Sequence, residues 1–200
     1  MHSSKTTRRV IDSLLYPAFL GNMSYVALEK LFNSPSAFSA ASASLVVALL
    51  LHYVMDWAYN VSNATDAPYY HLKFLADCVI VVCLYVAVRL SLQDNLALFQ
   101  NACAALKQPA FWLVLTKVCA VLWEVVEVRC TTGATWTKTK LLAVGIDGGG
   151  GLVYGGFLLA ALASPDATAL YCGVGLAAVV LVDALLYPLH DYARRKWNNA

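Results

Sequence analysis

Charge is scarce in this chain. Of its 200 residues only 13% are Asp, Glu, Lys or Arg, against roughly 25% in soluble domains. A net charge of +2, with the basic residues in short flanking groups and not along one face, excludes nucleic acid as a partner. Histidine is also sparse, at four residues, and no C-x-x-C pair exists, so no zinc or dithiol redox motif can be built. Of the six cysteines, Cys78, Cys83, Cys119 and Cys172 fall in apolar stretches and read as buried free thiols, with Cys103 and Cys130 near segment ends on opposite sides. Enzyme signatures are missing too. Lys138-Thr139 follows Thr137 where a P-loop needs glycine, and there is no G-x-S-x-G and no H-E-x-x-H. The expectation therefore leans away from an enzyme, with no catalytic residue and no cofactor assigned. A cleavable leader is not expected either, because the first apolar stretch carries Asn22, Glu29 and Lys30.

What the chain has instead is hydrocarbon. Apolar residues make up 60% of it and the mean hydropathy is +0.63. A helix needs about 20 mostly apolar residues to cross a core of about 30 Å, and six stretches approach that length: 10–32, 37–60, 71–92, 109–129, 141–163 and 168–190. The reading is an all-α, polytopic transmembrane bundle forming one integral-membrane domain over 1–200. It has six spans, or five if the first stretch lies in the interface.

Basic residues choose between these. With six spans, the side holding both termini collects Lys5, Arg8, Arg9, Lys73, Arg129, Lys138, Lys140, Arg194, Arg195 and Lys196, while the other has Lys30, Arg89 and Lys107, ten against three. If the first stretch does not span, the count becomes seven against six. The positive-inside rule thus predicts six spans in a plasma or inner membrane with both termini cytoplasmic. The sequons at Asn60 and Asn63 then face the cytoplasm and stay unglycosylated. A near-repeat, Asp12-Ser-Leu-Leu-Tyr-Pro17 and Asp183-Ala-Leu-Leu-Tyr-Pro188, opens the first stretch and closes the last; it is short enough to be chance, the alternative being an inverted repeat.

Against this apolar background five acids stand out: Asp56, Asp77, Glu124, Asp147 and Asp183, each a few residues from one end of its stretch. Helices in a bundle alternate in direction, so all five fall at one level, roughly 6 to 11 Å inside the cytoplasmic ends. A charge in hydrocarbon costs several kcal/mol and is by default functional. Helical spacing offers Lys73 to Asp77 and His52 to Asp56, the latter a possible pH-sensitive pair, and aligns Lys117, Glu124 and Glu127. Lys117 is too deep to snorkel and must pair with Glu124 or with an acid from a neighbouring helix. Because the acids outnumber the bases, they are expected to line a hydrated vestibule for a small cation or polar solute, with Lys117 as counter-charge.

The fifth stretch holds four consecutive glycines, Gly148, Gly149, Gly150 and Gly151, beside Asp147. They suit either close helix packing or a break in the helix, as in discontinuous transporter helices. The function expected is a channel or transporter. One alternative is an intramembrane enzyme on lipid head groups, whose acids would hold a divalent metal; another is a sensor or scaffold subunit. The partners expected are the lipid bilayer, the cation or solute, and a second copy or partner subunit.

Overall fold

In the computed structural model, residues 11–33, 39–62, 71–92, 102–130, 138–163 and 169–198 are described, and all their regular structure is helical. A wide turn at Ile11–Leu15 leads into α1, Tyr16–Asn33. Then follow α2, Ala40–Ser62; α3, His71–Ser91; α4, Pro109–Cys130, entered through a tight turn at Ala104–Lys107; α5, Lys138–Ala163; and α6, Ala169–Asn198.

Local chemistry sets several boundaries. Ser39 caps α2, its Oγ accepting from the Ser42 amide at 3.1 Å. Proline opens α4, where a missing N–H removes no helical bond. Trp112 Nε1 donates to the Leu106 carbonyl at 2.9 Å and pins the preceding turn to that helix. Within the helices, Ser44, Ser91 and Thr116 return their hydroxyls to the carbonyls four residues back, so they tolerate apolar surroundings without a partner.

Five helices, α2 to α6, are long and apolar enough to cross a membrane, through the windows Ala40–Tyr59, Phe74–Ser91, Pro109–Val126, Lys140–Ala163 and Gly173–His190. α1 is not among them, because Gly21, Asn22, Glu29 and Lys30 dilute its apolar content. Its 18 residues nevertheless reach about 27 Å, and it exposes Tyr25, Leu28, Leu31 and Phe32.

The five apolar helices close into a ring. α2 packs most extensively on α6, α6 on α5, α5 on α4, α4 on α3, and α3 returns to α2, with α1 lying against α2 and α3. The α2–α6 joint is tight because Gly173 offers no side chain: a Cβ there would come within 2.9 Å of the Ala41 Cβ. Inside, Leu49 and Tyr53 of α2, Val81 and Leu84 of α3, Leu113 of α4 and Val180 of α6 form the buried core. Outside, large apolar side chains are bare, Leu152 of α5 to 80%. Such a surface suits lipid and would aggregate in water.

Candidate functional site

The bundle's polar interior centres on Lys117 of α4, which is buried. Its Nζ donates to Asp147 Oδ1 of α5 and to Asp183 Oδ1 of α6, both at 2.8 Å. Asp183 is shared further. Its second oxygen, Oδ2, accepts from the Tyr154 hydroxyl of α5 at 2.7 Å and lies 3.6 Å from His52 Nδ1 of α2. One aspartate therefore meets groups from three other helices. Asp147 is the open member, with 19% of its side chain exposed against 5% for Asp183.

Tyr187, one helical turn beyond Asp183 on α6, closes the site with its ring. The ring packs edge-on to His52 at 5.4 Å, lies 5.5 Å from Tyr59, and has the Lys117 ammonium 5.9 Å from its centroid. That last contact adds a weak cation–π attraction to the two ionic ones. Tyr59 in turn pairs with His190 Nδ1 at 2.8 Å, extending the polar line to the end of the α6 span.

A second group lies beside the first. Tyr16 of α1 donates to Asp56 Oδ2 of α2 at 2.6 Å, and the Tyr16 carbonyl accepts from the Tyr53 hydroxyl at 3.0 Å. Asp77 of α3 lies within electrostatic reach of Tyr16, and Asp56 and Tyr16 within reach of Tyr187. The two tyrosines of the near-repeated hexapeptide thus meet at the same polar layer, whatever the origin of the repeat.

Asp56, Asp77, Lys117, Asp183 and His52 are all buried. Lys117 bonds acids from neighbouring helices and not Glu124, which is half-buried seven residues along α4 and outside those bonds. His52 faces Asp183 across the α2–α6 joint and not Asp56 on its own helix, because Asp56 is taken up by Tyr16. The side chains of Lys73 and Glu127 and the sequons at Asn60 and Asn63 lie outside the described residues.

The glycine run does not break its helix: α5 is continuous from Lys138 to Ala163. Gly150 and Gly151 make room for the Lys117 stem, since a Cβ at Gly150 would come 3.1 Å from Lys117 Cε and one at Gly151 would come 3.4 Å from Lys117 Cβ. Gly148 and Gly149 have nothing within 4 Å. Half the run is thus a groove for the lysine, and half faces outward.

Among the described residues, no three of His, Cys, Asp and Glu converge to hold a metal ion. The reason is local: the Lys117 ammonium fills the space between Asp147 and Asp183, where a cation would bridge them. No protein-family model, curated protein or solved structure matches the chain.

Proposed function

We propose that this chain is a small multi-pass membrane protein that carries a cation across the bilayer, with Asp147, Asp183 and Lys117 as the place where charge is bound and exchanged. In this reading α1 also crosses, so six helices set both termini on the cytoplasmic side of a plasma or inner membrane. The exposed apolar residues of α1 and the ten-to-three division of basic residues support it.

The observation that carries the proposal is the ratio of charges around one ammonium. Lys117 is bonded to two carboxylates, so the triad holds one negative charge in excess inside an apolar bundle. A structural ion pair that merely fixes helix register needs one carboxylate per lysine, and an additional buried charge costs several kcal/mol. An excess charge is relieved by a mobile cation, which reaches the triad through Asp147, its less buried member. Asp183 and the rings of Tyr187 and Tyr154 form the inner wall. Lys117 is then the tethered competitor that the moving cation must displace from one carboxylate.

Reconstituted liposomes test this directly. Wild-type protein should dissipate a gradient of at least one of H+, Na+ or K+, read by entrapped dyes, and Asp147→Asn should abolish that flux while still eluting as a folded species in detergent. Flux unchanged in the Asn variant, or no flux of any of the three in wild type, rejects the proposal.

A further inference from the structure

His52 is the unusual member of this site. It is 1% exposed, yet its Nδ1 has no hydrogen-bond partner. That nitrogen points at Asp183 Oδ2 from 3.6 Å, too far for a hydrogen bond and close enough for an ion pair. If the ring proton sits on Nε2, the Nδ1 lone pair opposes a carboxylate lone pair, an arrangement that gains nothing. Adding a proton at Nδ1 turns the same contact into a charge-assisted bond.

The surrounding charges give that proton a reason to bind and a reason to wait. Burial itself opposes a charged ring. Asp183 of α6 faces the imidazole at 3.6 Å, Lys117 of α4 is bonded to that carboxylate's other oxygen, and the Tyr187 ring of α6 packs against the imidazole. Both cationic groups address Asp183, Lys117 through Oδ1 and His52 through Oδ2. Asp147 gives Lys117 a second carboxylate to fall back on.

We propose that His52 and Asp183 form a proton-binding site in competition with Lys117, so that uptake of one proton at His52 Nδ1 releases the lysine from Asp183 onto Asp147. The step balances simply. One proton enters from water, Lys117 keeps its own, and the charge on Lys117, Asp147, Asp183 and His52 together goes from one negative to zero. No bond other than N–H forms. Resting on the transport reading, this names the proton as the coupled ion and makes the lysine shift the coupling event.

Histidine-selective NMR in lipid nanodiscs tests the competition without needing flux. The His52 signal, assigned by its loss in His52→Gln, should titrate in wild type as a single proton binds. In Lys117→Met the midpoint should move up by about one pH unit or more, and in Lys117→Met/Asp183→Asn the signal should fall silent. Lys117→Gln keeps a donor between the carboxylates but no charge and carries the same expectation if the Met variant does not fold. A His52 signal that titrates identically in wild type and Lys117 variants, or still titrates without the Asp183 charge, overturns the proposal. Titration as expected in a protein that moves no cation leaves the proton site standing and removes the transport reading; flux without such titration does the reverse.

Discussion

Two aspartates in this bundle solve the same problem in different ways. Asp183 is held by an ammonium from α4 and a tyrosine hydroxyl from α5, and faces an unbonded imidazole nitrogen from α2. Asp56 is held by the hydroxyl of Tyr16, from α1, which is not among the five helices long and apolar enough to cross a membrane. The first arrangement depends on charge and joins the ring to itself; the second uses a neutral donor and fastens a peripheral helix to the ring. A charged joint can be opened by a proton or an ion, whereas a hydroxyl bond to a carboxylate changes little when ions pass. Under the transport proposal, the difference assigns exchange to the α4–α5–α6 side and anchoring to the α1–α2 side.

The largest way to break this comparison is at Lys117. Lys117→Met leaves the buried Asp183 and the half-buried Asp147 with no cation between them, which should destabilise the protein by about 3–5 kcal/mol. Thermal unfolding in detergent measures this as a lowered midpoint. Adding Asp183→Asn to the same chain removes most of the repulsion and should recover much of the loss. Recovery marks the cost as electrostatic; a double variant as weak as the single one marks it as lost packing of the lysine stem.

That stem explains much of what was and was not legible in the sequence. The five helices long and apolar enough to cross a membrane follow from the sequence's apolar runs, and Lys117 had to find a carboxylate because hydrocarbon leaves a mid-helix ammonium no other choice. Which carboxylate depends on helix neighbours, and the order in space is not written in a linear pattern; hence Asp147 and Asp183 and not Glu124. Spacing along one helix misled for His52, four residues from Asp56 yet facing another helix. The tyrosines left a readable signal. Tyr187 stands four residues after Asp183 and Tyr154 seven after Asp147, each on its acid's face of the helix. The glycines needed the partner helix, because only the lysine lying on Gly150 and Gly151 separates them from their neighbours.

A sharper probe of the α2–α6 joint comes next in size. Gly173→Val would press side-chain atoms into Ala41, already 2.9 Å from where a Cβ would stand. Overpacking of this kind costs about 1–3 kcal/mol, and here it should also move Asp183 away from His52. Cysteine pairs across α2 and α6 would report the widening as slower crosslinking. Unchanged crosslinking and stability would show that the joint is looser than the contact implies.

On the anchoring side the effect should be smaller. Tyr16→Phe removes the hydroxyl that reaches Asp56 and leaves the ring in place, 5.1 Å from Tyr53. Interhelical hydrogen bonds in membranes contribute about 1 kcal/mol. The variant should therefore unfold slightly earlier and keep full cation flux, whereas a large loss of flux would place α1 in the exchange path.

The smallest expected effect separates adjacent residues. Gly149 has open space where its Cβ would go, and alanine in a helix interior is more favourable than glycine by about 0.5–1 kcal/mol. Gly149→Ala should be neutral or mildly stabilising. Gly150→Ala gains the same helical preference but sets a methyl 3.1 Å from Lys117 Cε, so the lysine tip must shift or the helices part. Because Lys117 Nζ is held at 2.8 Å by two carboxylates, a shift at Cε lengthens at least one of those bonds. Gly150→Ala should accordingly alter cation flux at nearly unchanged stability, and Gly149→Ala should not. Equal behaviour of the two variants would mean that the run serves only the outer surface of α5, and that the lysine does not need the groove it occupies.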